Sequence, residues 1–231
     1  MRIKMQPNVI IANSRKLDDS SLKVLKSTYL LLAATMIPTF FGSILGIYSS
    51  GFIMKSPIMS SLLMLGAVIG LQFAIQKNRN SGLGIILLLL MTFILGWWLG
   101  PMLNVALSLR NGASLISLAA IGTGSILAAM SFIAITTKRD FSFMGKFLFV
   151  GMMVLLVMMI ANMFLQLPAL SLTLSALVVI VFSLFLLHDV SRIINGGETN
   201  YIIAATGVYM SLFNIFVNLL HLLIAFAGNR E

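Results

Sequence analysis

The chain has 231 residues, 59% of them hydrophobic and only 9% charged, against about a quarter charged in an ordinary soluble domain. Its net charge is +9 and it contains no cysteine, which excludes disulfides, thiolate chemistry and cysteine-ligated metals. The basic residues sit in the gaps between long apolar runs, a placement that marks membrane topology and argues against nucleic-acid binding.

Residues 1–27 read as a polar cytoplasmic tail, in which Asp18-Asp19-Ser20-Ser21 is a helix start leading into the first apolar run. That run begins near Thr28, later than the apolar core of a cleaved secretory signal, so a retained signal anchor is expected. A helix needs about 20 apolar residues to cross a bilayer. Seven runs qualify in chain order: Thr28–Ile47, Pro57–Ile75, Leu83–Val105, Leu115–Ile135, Phe147–Leu165, Leu170–Leu187 and Tyr201–Phe226. None shows the alternation of a barrel strand, so the expected fold is an all-α bundle of seven transmembrane helices over residues 28–226. Residues 227–231 are left as a short C-terminal tail. The breaks are polar or helix-stopping. The weakest is Gln166-Leu167-Pro168, which demands a tight hairpin.

Lysine and arginine distribute unevenly over the two sides that seven spans define. Arg2, Lys4, Arg15, Lys16, Lys23, Lys26, Lys77, Arg79, Lys138, Arg139, Lys146 and Arg192 share one side; Lys55, Arg110 and Arg230 share the other. The positive-inside rule then puts the N-terminus in the cytoplasm and the C-terminus in the periplasm.

Three glycine pairs, Gly42/Gly46, Gly66/Gly70 and Gly96/Gly100, are spaced to let helix backbones approach closely in lipid, although glycine is also simply common in membrane helices. Pro38 and Pro101 are expected to kink their helices. The 16 methionines are scattered and read as soft packing rather than a metal relay.

Polar side chains inside spans are the informative ones, because lipid penalises them. Asp189 borders the sixth span and has two readings: a solvated helix end paired with Arg192 one turn on, or a buried titrating carboxylate. On the seventh span Ser211, Asn214, Asn218 and His221 are spaced three, four and three, which puts them on one helical face, and Gly207 extends that stripe. Such a seam must face other helices or a wet cavity. It suits either interhelical hydrogen bonding or an ion or proton path. Asn162 and Gln166 form a similar pair on the fifth span, and Asn104 follows Gly100-Pro101 on the third.

No zinc pair of the His-Glu-x-x-His type, phosphate-cradling glycine loop or paired carboxylate is present. Gly122-Thr123-Gly124-Ser125 with His188 or His221 has the wrong glycine spacing for an intramembrane serine dyad. The expectation is a non-enzyme without cofactor or metal.

The C-terminal third carries longer patterns: Leu187-His188-Asp189-Val190-Ser191-Arg192, then Gly196-Gly197-Glu198-Thr199-Asn200-Tyr201, then Tyr209-Met210-Ser211-Leu212-Phe213-Asn214. With Gly100-Pro101-Met102-Leu103-Asn104, Thr136 through Phe143, and Asn162 through Leu170, they resemble the Bax-inhibitor (transmembrane BAX inhibitor motif) family, in its bacterial YccA-like branch. The resemblance spans about Lys23 to Asn229. It implies a seven-helix bundle in the bacterial inner membrane and association with the protease FtsH, as a slowly degraded substrate and modulator. It also implies the alternative of a calcium or proton leak gated by an aspartate pair on the last two helices. Asp189 matches the first of that pair, whereas Ser211 stands where the second should be. A lone carboxylate cannot share a proton with a second one, so that gating is not expected here.

Overall fold

In hydrocarbon every backbone N–H and C=O must find its partner within the protein, and a helix does this within one segment. The computed structural model of the chain, which describes residues 19–137 and 139–228, is accordingly helical, with no strand among those residues. Its helices are α1 (Asp19–Tyr48), α2 (Ser50–Met54), α3 (Pro57–Lys77), α4 (Gly82–Ser108), α5 (Gly112–Thr136), α6 (Gly145–Leu165), α7 (Pro168–Ile194) and α8 (Tyr201–Gly228). Seven of these are long and apolar enough to cross a membrane, α2 being the exception.

Each expected span lies inside one of the seven, and the differences fall at the ends. Helix α1 begins at Asp19, within the helix start expected at Asp18–Ser21, and so precedes the apolar run at Thr28; residues 1–18 lie outside the described residues. Helix α7 runs past Leu187 to Ile194 and takes Asp189 and Arg192 into the helix. The short α2 fills what reads in sequence as a plain break. Trp97 donates its indole N–H to Ser49 Oγ at 2.7 Å, and Asn104 donates to Ser50 Oγ at 2.8 Å, tying this corner to α4.

Close approach of α1 and α4 organises the bundle, and these two helices pack most extensively. A Cβ on Gly42 or Gly46 would overlap the backbone of Phe93 or Trp97, and one on Gly96 or Gly100 that of Thr39 or Gly46. Trp97 O, the carbonyl that Pro101 deprives of its helical partner, lies against Gly46. Two of the three expected glycine pairs thus form one helix crossing. The third does not: nothing lies within 4 Å of a Cβ placed on Gly66 or Gly70. Helices α3 and α6 are peripheral, with only Met64, Val68 and Ile75 buried on the first and Leu148 and Leu155 on the second.

The main core draws on α1, α3, α4, α7 and α8, and Leu88, Met91, Leu95, Leu186, Tyr209 and Ile215 are among its buried residues. Tyr209 is held in it by a 2.8 Å hydrogen bond between its hydroxyl and Thr39 Oγ1. The α6–α7 hairpin is as tight as expected. Gln166 adopts a left-handed conformation at φ 52°, Asn162 Oδ1 accepts from Leu167 N at 3.1 Å, and Pro168 opens α7. The seven spans leave Lys77, Arg79, Arg139, Lys146 and Arg192 at one end, called here the basic end, and Lys55 and Arg110 at the far end.

Candidate functional site

Two regions of polar side chains meet along α8, one at each half of the bundle. At the basic end α7 stops in a Schellman turn: Gly197 N donates to Arg192 O at 2.8 Å and Gly196 N to Ile193 O at 3.2 Å. Gly196 takes φ 73°, which a glycine adopts without steric cost. Asn200 then caps α8, its Oδ1 accepting from Ile202 N and Ile203 N at 3.0 and 3.1 Å. Its Nδ2 reaches across to Arg79 O and Asn80 Oδ1, at 2.8 and 2.9 Å, and so fastens the α3–α4 turn. Glu198 accepts from Asn200 N at 2.9 Å through one oxygen and pairs with Arg192 at 3.3 Å through the other. The α5–α6 loop is fastened as well, by Phe141 N donating to Ser191 Oγ at 3.0 Å. The Gly196-Gly197-Glu198-Thr199-Asn200 stretch is therefore a connector that locks four helix ends together.

Asp189 sits beside this connector in a recess of about 120 Å³, shared with Arg192, Glu198, Ile203, Ala204 and Gly207. Its side chain is 19% exposed and one oxygen lies 3.0 Å from His188 Nδ1. Arg192, the partner in one of the two readings open from sequence, is drawn instead to Glu198 and to Gly197 O. The second Asp189 oxygen lies against Gly207, where a Cβ would come within 2.9 Å of it. The His188 ring is wedged against the start of α6, its Nε2 2.7 Å from where a Cβ on Gly145 would stand.

The far half of the bundle holds a cavity of about 700 Å³ between α3, α4, α6, α7 and α8. Asn214, Asn218 and His221 of the α8 stripe line it together with Asn162, Ser171 and Ser175. His221 Nδ1 is hydrogen-bonded to Ser175 Oγ at 2.8 Å. Ser211 is 3% exposed and is not among the cavity's lining residues. It stands between Gly207 at the basic-end recess and Asn214 in the cavity. The serines of α7 escaped the sequence reading, although Ser171 and Ser175 are one turn apart and so share a face. Glu198 and Asn200 were legible as a pattern but not as a pair partner and a cap.

Asp189, Glu198, Asn200, Asn162 and Asn214 among these polar groups lie in the segments that carry the family patterns, and comparison with known sequences decides what they belong to. The profile of the family described as "Inhibitor of apoptosis-promoting Bax1" matches residues 22–228. The chain belongs to the Bax-inhibitor family. Among its relatives is the Escherichia coli K12 protein named "Modulator of FtsH protease YccA". The two are 42% identical over 204 residues, which cover 88% of this chain and 90% of that one. The same identity and coverage hold for the "Inner membrane protein YccA" of a second E. coli strain. A protein of Vibrio cholerae described as an uncharacterized membrane protein is 38% identical over 201 residues, 87% of this chain and 88% of its own. The Bax-inhibitor match embraces all seven spans, both polar regions and the connector.

Proposed function

We propose that this protein is a non-enzymatic inner-membrane modulator of an FtsH-type membrane-anchored AAA protease. The observation that carries the reading is the 42% identity, over 88% of the chain, to the E. coli protein named as such a modulator. The fold supplies a physical route. An AAA motor pulling on the bundle meets four helix ends interlocked by the Schellman turn and Asn200, with the α5–α6 loop fastened to α7 by the Phe141–Ser191 bond. A substrate that unfolds slowly occupies the motor and slows the turnover of others. FtsH should co-purify with the detergent-solubilised protein, and overproducing the chain should lengthen the half-life of another FtsH membrane substrate. Failure of both, with an unrelated seven-helix protein as control, rejects the reading.

The basic end is assigned to the cytoplasm on the strength of twelve basic residues against three in the full sequence. A reporter fused at Met1 should then read cytoplasmic and one after Glu231 periplasmic. Both reporting from one side would overturn this orientation.

A cation leak is the second reading, favoured by the α8 stripe that leads from the Asp189 recess past Ser211 to the far cavity. Asp189 has no second carboxylate among the groups lining its recess except Glu198, which is already paired with Arg192. Proteoliposomes containing the parent protein should therefore show little calcium or proton flux, and Asp189→Asn should not change it. A robust flux that Asp189→Asn abolishes would replace the protease reading with the leak.

A further inference from the structure

The far cavity has a polar back, apolar walls and no permanently charged side chain lining it. We propose that it is a binding site for a neutral single-chain amphiphile with a hydroxyl-bearing head group, chemically a monoacylglycerol.

The head-group chemistry follows from which polar atoms are already engaged. Asn214 and Asn218 each donate Nδ2 to the carbonyl four residues back, Met210 O and Asn214 O, both at 2.8 Å. Among the described residues neither Oδ1 receives a hydrogen bond. Neither atom is fully enclosed, because Thr28 Oγ1 is the only enclosed, unpartnered side-chain polar atom among those residues. Asn218 as a whole is 5% exposed, so the open space its Oδ1 meets is the cavity it lines. Asn162 is engaged the other way round: its Oδ1 takes Leu167 N, which leaves Nδ2 as a donor. His221 has Nδ1 on Ser175 and Nε2 unengaged. The wall thus offers two amide acceptors, an amide donor, a ring nitrogen and the hydroxyls of Ser61 and Ser171, a set that vicinal hydroxyls match because each hydroxyl both donates and accepts.

Charge and size narrow the ligand further. A carboxylate or phosphate head would meet no lysine or arginine here, and an ammonium no carboxylate, so either would be buried without a counter-charge. Apart from the Ser61 and Ser171 hydroxyls the rest of the lining is apolar, including Met64, Val68, Leu95, Trp98 and Met159. Water alone would satisfy the asparagines but wet these walls in the bilayer interior; an alkyl tail would satisfy the walls. At the roughly 30 Å³ that a water molecule occupies in the liquid, the cavity of about 700 Å³ holds about two dozen non-hydrogen atoms. That suits a glycerol ester of one long chain.

The two tryptophans make the test direct, since Trp98 lines the cavity while Trp97 is bonded to Ser49 outside it. The protein in nanodiscs, both unmodified and as Trp97→Phe, is titrated with dibromostearoyl monoglyceride, dibromostearic acid or the corresponding amine. Bromine quenches an indole it touches. The monoglyceride should quench Trp98 saturably, at a mole fraction about tenfold below the acid or the amine, the difference that one well-made hydrogen bond confers. Asn214→Leu with Asn218→Leu should raise the half-saturating mole fraction by about the same factor. Quenching by brominated phosphatidylcholine, which reports the surrounding bilayer, should stay as in the parent. If the double variant does not insert, Ser171→Phe, which fills the cavity from α7, should abolish the saturable phase. Equal quenching by all three amphiphiles, or a saturable phase indifferent to these substitutions, overturns the proposal. None of these readings involves FtsH, so the outcome stands apart from the protease assignment.

Discussion

Gly100→Val should be among the most damaging single substitutions in the bundle, whereas the same replacement at Gly66 should leave stability unchanged. At Gly100 any Cβ falls on the backbone of Gly46, which cannot rotate away as a side chain could, so α1 and α4 must separate. Forcing extra carbon into a packed contact costs about 1–3 kcal/mol, and here the helix pair with the most extensive packing absorbs it. At Gly66 nothing lies within 4 Å and the residue faces outward, so valine adds only lipid-exposed surface. Thermal or SDS-driven unfolding of the purified variants in one detergent checks the contrast. Equal loss at the two positions would mean that close α1–α4 approach does not limit stability.

Asn200→Ala should come next, with a loss of about 1–2 kcal/mol, the upper range for removing a helix cap. Two bonds to the first turn of α8 disappear, and with them the two bonds that hold the α3–α4 turn through Arg79 and Asn80. Asn200→Asp separates the two functions. Its carboxylate still accepts from Ile202 and Ile203 but has no N–H for the neighbouring turn. The aspartate variant should therefore keep most of the stability while the α3–α4 turn becomes more accessible to proteolysis. If alanine and aspartate lose stability equally, the bridge to the α3–α4 turn matters more than the cap. If neither loses any, the connector is not the lock described above.

Within the two polar regions, legibility followed the range of the interaction. The α8 stripe was readable because a helix repeats every 3.6 residues, so Asn214, Asn218 and His221 had to share a face wherever that face pointed. The α6–α7 hairpin was readable because Pro168 forbids continuation and Gln166 is one of few polar residues there. The partner of Asp189 was not. Proximity along α7 favoured Arg192, yet Arg192 lies equally near the Gly197 carbonyl and Glu198 once the Schellman turn folds back. That competition is settled by loop geometry, which no spacing rule contains. The same holds for the 700 Å³ cavity, whose lining comes from five helices at positions far apart in the chain.

What the sequence by itself determined is the set of decisions made one segment at a time. The number of spans follows from run lengths against a bilayer of fixed thickness, and the identity of the basic end follows from where lysine and arginine fall between them. The Bax-inhibitor resemblance was also legible, because its patterns are contiguous. Only the tertiary structure decided which glycine pairs meet. Gly42, Gly46, Gly96 and Gly100 interlock while Gly66 and Gly70 face outward, although all three pairs have the same spacing. The physical reason is that spacing sets which residues share a helix face. Which face turns inward depends on the packing of the remaining helices, and in lipid hydrophobicity does not choose, since the surroundings are as apolar as the core.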